Sequence, residues 1–167
     1  MTLKGALLRL EARIVALEEA ALFSILLLIL VTLTLQVASR FLFRFPLDWT
    51  EELGRVAQLW LVFIGAAVGA RRAEHFVVDL FMQRVTFPGK QAVARLVDVL
   101  VVGFFLVLAA VGAQTAAFGA IQVLSTLDAS VAWSYAAIPV GCVLMAFHFA
   151  MAWIRPLEAH VVEGAAE

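Results

Sequence analysis

Residues Ala20 to Ser39 read AALFSILLLILVTLTLQVAS, an unbroken run without Asp, Glu, Lys or Arg. A helix rises about 1.5 Å per residue, so the run covers about 30 Å, the thickness of a bilayer's hydrocarbon core. A helix in a soluble core has no need of such length. Composition points the same way: 64% of residues are hydrophobic, 15% are charged and the mean hydropathy is +1.01. Soluble domains do not reach these values, and the fold class is an all-α integral membrane protein.

Three further spans can be drawn outward from the first, at about residues 53–70, 97–124 and 132–154. The second has few charge-free residues after Arg55, so it crosses only if Arg55 runs its aliphatic stem along the helix and leaves its head at the interface. The third carries Asp98 near its start. The fourth contains Pro139 and places Trp133 and Trp153 near its ends, where aromatic belts form. The first span is longer than the apolar core of a secretory signal and is preceded by nearly twenty residues, so it reads as an uncleaved helix although Val37, Ala38 and Ser39 are small enough for a cleavage site. Nine Lys and Arg residues fall in the amino-terminal segment, the middle connection and the tail, against three (Arg40, Arg44 and Arg55) in the first connection. This bias places both termini in the cytoplasm. The single cysteine, Cys142, lies inside the fourth span, so neither a disulfide framework nor a cysteine metal site is expected.

Two segments read as amphipathic rather than spanning. In residues 1–19, Leu3, Leu7, Leu10, Ile14 and Leu17 form one apolar stripe, with Arg9, Glu11, Arg13 and Glu18 elsewhere around the helix. The pattern is too short for a coiled coil and predicts a helix lying on the cytoplasmic membrane surface or against a partner. Residues 74–87 (EHFVVDLFMQRVTF) predict a second interfacial helix between spans two and three. Arg71 and Arg72 close span two and, with His75 and Asp79, form a candidate cytoplasmic anchor. Residues 155–167 form a cytoplasmic tail.

A transport pathway usually shows itself by ionisable groups at mid-membrane, each costing at least about 2.5–3.5 kcal/mol on insertion scales. Here His148 is the one titratable side chain deep in an apolar run. Haem ligation would require a second histidine facing it, and His75 and His160 fall in the cytoplasmic segments. Gln36, Gln58, Gln114, Thr115, Gln122 and Tyr135 read as interhelical hydrogen-bonding groups. No nucleophile, base and orienting group converge and no phosphate-binding glycine loop occurs, so no enzymatic activity, metal, cofactor or nucleic-acid partner is expected. Gly65 with Gly69 in span two, and Gly112 with Ala116 in span three, provide small surfaces for close helix packing.

The charged run between the first two spans, RFLFRFPLDWTEE from Arg40 to Glu52, stands apart from this hydrocarbon. Pro46 ends the first helix, Thr50 is a candidate cap for the second, and Glu51 and Glu52 sit where the positive end of the helix dipole favours carboxylates. Capping leaves Arg40, Arg44, Asp48 and the interfacial Trp49 unexplained. An ion-paired clasp of Arg40, Arg44, Asp48, Trp49, Glu51 and Glu52, fixing span one against span two on the periplasmic side, is expected.

Taken in order on this topology, Arg40-Phe41, Trp49-x-Glu51-Glu52, Gly69 and His75-x-x-Val78-Asp79 resemble the small membrane subunit, DctQ type, of tripartite ATP-independent periplasmic (TRAP) transporters. The resemblance covers about Ala20 to Arg155. It implies a scaffold that supports a large multi-span permease subunit holding the substrate and sodium sites, with an organic acid delivered by a periplasmic substrate-binding protein. Membrane lipids would surround the rest. The competing class is a free-standing four-helix protein, either an accessory or anchor subunit of another complex or a small exporter.

Overall fold

The computed structural model describes residues 3–45, 47–84 and 90–152. In chain order these form α1 (Leu3–Ala38), a π-helical turn (Ser39–Phe43), α2 (Asp48–Arg84), α3 (Lys90–Gly119), a short α4 (Ala132–Tyr135) and α5 (Ala137–Ala152). Among the described residues, four helical stretches are long and apolar enough to cross a membrane: Gly5–Leu42, Asp48–Arg71, Arg95–Gly119 and Ala132–Met151. The all-α, four-span class read from the sequence is therefore the observed one.

Both surface helices expected as separate pieces are instead continuous with spans. α1 runs without a break from Leu3 to Ala38, about 54 Å at an ordinary helical rise. The junction, Leu17-Glu18-Glu19-Ala20-Ala21, consists of strong helix formers and contains neither Gly nor Pro. The buried face is also turned from the expected one: Glu11, Val15 and Glu18 are buried, Leu7 and Ile14 are half-buried, and Leu10 and Leu17 are 48% and 70% exposed. Likewise α2 passes through Arg71 and Arg72 and takes in the expected interfacial segment as far as Arg84. Charge at those positions ends an apolar run, but arginine has high helix propensity and does not end a helix. Residues 85–87 of that segment, the end of span four at 153–154 and the tail at 155–167 lie outside the described residues.

The ends of the helices have local causes. The π-turn closes at Arg44, which is left-handed with φ 53° and ψ 25° and donates its N–H to the Ser39 carbonyl. α2 starts at Asp48, so Thr50 is already inside its first turn and is not the cap. It is fully buried, and its hydroxyl donates to the Leu47 carbonyl. Span three stops at Gly119 rather than Leu124, and the chain turns back so closely that a Cβ at Gly119 would meet the Tyr135 ring at 2.9 Å. Residues 120–131 form a narrow turn closed by an antiparallel bridge between Val123 and Ser130. The fourth span is interrupted at Ala136: Pro139 has no N–H for the Tyr135 carbonyl, and the helix resumes as α5.

The core lies where α2, α3 and α5 meet: Ala67, Ala109, Cys142 and Met145, with Phe63, Phe105 and Ile138 packed around them. Small residues set the helix separations. A Cβ at Gly141 would lie 2.6 Å from the Phe63 Cβ and 2.9 Å from its carbonyl oxygen, and one at Gly112 would lie 2.7 Å from Ile138 Cγ2. α1 packs along α2 at the side of this three-helix core. Only 6% of its most apolar window is buried, against 44% for span four, leaving leucines such as Leu26 and Leu30 directed outward. Such exposure suits hydrocarbon surroundings, where the side chains have no water to escape.

Candidate functional site

The structure places polar ties at the two ends of the bundle. At the end formed by the first turns of α2, Glu52 projects toward the α3–α4 turn. Its Oε1 accepts the Ser125 N–H at 3.0 Å and the Ser125 hydroxyl at 2.6 Å. Its Oε2 accepts the Thr126 N–H at 2.9 Å and the Leu127 N–H at 3.2 Å, together with the Thr126 hydroxyl. Three successive backbone N–H groups aimed at one carboxylate form a concave anion site of the kind that tight turns create. The turn can present them because Asp128 is left-handed, with φ 48°, a conformation that aspartate tolerates better than most residues. Below the turn the Leu124 N–H donates to the Ala129 carbonyl at 2.8 Å and the Val131 N–H to the Gln122 carbonyl at 3.0 Å. One turn farther into the bundle from Ala57, Trp60 Nε1 donates to the Trp133 carbonyl at 3.0 Å. Span two is thus tied to the connection between spans three and four.

This arrangement corrects the expected clasp. Glu52 belongs to a clasp, but its partners are Ser125, Thr126 and Leu127 rather than arginines of span one. Glu51 pairs along its own helix with Arg55 at 3.0 Å, both side chains being largely exposed. Among the described residues no ion pair joins Arg40, Arg44 or Asp48 to a partner. Arg40, Asp48 and Glu51 instead line a shallow cleft of about 320 Å³ between the end of α1 and the start of α2, with Gln36 and Leu47. Trp49 is partly exposed beside it. The charge pattern was legible, but the turn that takes up Glu52 is about seventy residues away in sequence and has no cation of its own to announce it.

At the opposite end, His148 of α5 is wholly buried and its Nε2 lies 3.0 Å from both carboxylate oxygens of Glu18. Glu11 Oε1 lies 3.9 Å from its Nδ1. In the sequence Glu11 and Glu18 stand only as charged positions off the apolar stripe of residues 1–19, and neither is marked there as a partner of His148. The available signal was that Glu11, Val15 and Glu18 share a helical stripe while a titratable group in an apolar span calls for a partner.

The small-residue positions divide. Gly112 and Gly141 are close-approach points, whereas a Cβ at Gly65 would make ordinary contact with Leu22 at 3.7 Å and one at Gly69 would meet nothing within 4 Å. Ala116 is half-buried, as is Arg71. Arg72, His75 and Asp79 lie within α2, for which the structure describes the helical backbone at those positions and not the side chains. Among the described residues no three His, Cys, Asp or Glu side chains form a metal-binding group.

The sequence profile described as "Tripartite ATP-independent periplasmic transporters, DctQ component" matches residues 28–159. The chain belongs to this family. Like other DctQ chains it is a small TRAP subunit and a multi-pass inner-membrane protein. It is 27% identical over 130 residues to the sialic acid TRAP transporter small permease protein SiaQ of Vibrio cholerae, covering 78% of this chain and 75% of that one. It is also 27% identical over 117 residues to the sialic acid TRAP transporter permease protein SiaT of Haemophilus influenzae, covering 70% of this chain but only 19% of that much longer one. The DctQ match takes in both Glu52 and the turn that receives it, and His148, but begins after Glu18.

Proposed function

We propose that this DctQ chain is the immobile scaffold of a TRAP transporter, supporting a large permease subunit during sodium-coupled uptake of an organic acid. The observation that carries this reading is the disposition of its charge. Glu52 is taken up by the α3–α4 turn and Glu18 by His148, so these two carboxylates join the chain's own elements to each other rather than lining a route through the bundle. A substrate pathway would hold ionisable groups where a solute could reach them.

The long relative from Haemophilus influenzae, of which this chain matches 19%, supports association with a large permease, since there a similar segment belongs to one longer permease chain. The substrate class draws on the sialic acid named for both relatives. On this reading a periplasmic binding protein delivers the solute, and sodium binds the large subunit. The DctQ chain itself has neither a cofactor nor catalytic activity. Nine Lys and Arg residues against three favour cytoplasmic termini, which puts Glu52 on the periplasmic side and Glu18 with His148 near the cytoplasmic side. The outward leucines of α1 and α3 then meet lipid or the large subunit.

Purification of the tagged chain in a mild detergent tests the assignment. A large hydrophobic subunit recovered in equal amount is the expected result. A stable homo-oligomer that lacks such a partner and moves solute by itself would overturn it.

A further inference from the structure

The Glu18–His148 bridge joins two helices that do not run along one another. α1 packs along α2, and α5 packs along α2 and α3. The bridge nevertheless connects positions 130 residues apart, with His148 fully enclosed and Glu18 only 4% exposed. On the same stripe of α1, Val15 is buried and Glu11 is 5% exposed, with a carboxylate oxygen 3.9 Å from the other imidazole nitrogen. Leu10 and Leu17, about a third of a turn round the helix from that stripe, are turned out. Apolar burial alone would turn this arm by about a quarter turn, bringing Leu10 and Leu17 toward the bundle beside the half-buried Leu7 and Ile14 and carrying the carboxylates to its edge. Enclosing carboxylates beside an apolar bundle is costly unless each meets a hydrogen-bonding partner. The bridge thus holds at the amino-terminal end a rotation that α1 shares with its contact along α2, where Val15 and Thr32 are buried and Leu22 faces Gly65.

We infer that Glu18 and His148 are positioning residues for transport. Their bridge sets the rotation of the amino-terminal arm of α1 about its own axis, ties that arm to the last span, and so keeps Leu10 and Leu17 facing away from the bundle. The inference rests on the transporter-subunit reading above, and adds that the scaffold is braced at both ends: by Glu52 at one and by this bridge at the other.

The discriminating variant is the apolar double replacement Glu18→Leu with His148→Leu. Replacing both members of a buried polar pair with apolar residues of similar size is often neutral or stabilising, so a bridge that served stability alone would be dispensable. Spin labels at Leu10→Cys and Val143→Cys, on a Cys142→Ala background, report the arm-to-α5 distance in the chain assembled with its large subunit. Solute uptake is measured per assembled complex. The double variant should accumulate normally and show a broadened or displaced distance distribution, with uptake at least about tenfold lower, as loss of a charge-assisted hydrogen bond implies. Glu18→Gln, which keeps an acceptor for the imidazole N–H, should preserve both the distance and most of the uptake. A double variant with wild-type distance distribution would overturn the inference, and so would an arm that moves while uptake is unchanged. If the double variant fails to accumulate, the same two readouts on His148→Gln decide the matter: unaltered distance and uptake there overturn the inference, and loss of both supports it. Failure of the transporter-subunit reading is separately visible, because then the wild-type chain would show the arm geometry without any uptake.

Discussion

Gly141→Ala is the sharpest test of the packing that makes this bundle rigid. The added methyl would sit 2.6 Å from the Phe63 Cβ, 2.9 Å from the Phe63 carbonyl oxygen and 3.1 Å from its carbonyl carbon. Ordinary contacts between such atoms are about 3.5–4.0 Å, so α5 must withdraw from α2 by about 1 Å. The withdrawal opens the contact shared by Ala67, Ala109, Cys142 and Met145. Overpacking of this kind costs about 1–3 kcal/mol, and collision with backbone rather than with a flexible side chain puts this site at the upper end, about 3 kcal/mol. Replacing glycine by alanine inside a helix returns about 1 kcal/mol, leaving a net loss of about 2 kcal/mol. Gly69→Ala receives the same helical gain and meets no atom within 4 Å, so it should be stabilised by up to about 1 kcal/mol. The difference of about 3 kcal/mol corresponds to more than about a hundredfold in the unfolding equilibrium constant. Reversible unfolding of the isolated chain in mixed micelles, followed by helical circular dichroism, measures it. Equal stabilities for the two variants would refute the claim that α2 and α5 are seated on Gly141.

Two further outcomes follow from the ties at the Glu52 end. Glu52→Ala should speed amide hydrogen exchange at Ser125, Thr126 and Leu127 while leaving the centre of α5 protected, with Glu52→Gln intermediate because it retains one acceptor oxygen; unchanged exchange at the three amides would contradict the clasp. Exchanging charge between Arg40 and Glu51 should show no energetic coupling in a double-mutant cycle, since Glu51 pairs with Arg55, and that exposed pair is itself worth about 0.3–0.5 kcal/mol; recovery of stability in the exchanged chain would restore the clasp expected between spans one and two.

The spans were legible because uncharged runs such as Ala20 to Ser39 have one physical solution, a helix in hydrocarbon. Helix ends were less so. Arg71 and Arg72 mark where apolar character stops, and the backbone takes no notice of them. Pro139 was visible as a break, but its consequence, a short α4 turning into α5 over Gly112, depends on a contact with another helix. The Arg40 to Glu52 run stands out for its charge but is wrongly paired, because nearest charges in sequence were matched to each other while the best donor geometry lay in a turn without a cation. Glu18 and His148 escaped for a related reason. An amphipathic pattern says which side chains dislike water, and in a bilayer that preference does not decide which face of a helix turns inward.

The central claim is that this chain holds a transporter together without conducting solute itself. Its most direct test is uptake into proteoliposomes containing the DctQ chain alone, the large permease subunit alone, or both, each supplied with the binding protein and a sodium gradient. The account predicts sodium-dependent uptake only when both membrane subunits are present. Solute flux through vesicles containing this chain by itself, or full uptake without it, would contradict the account.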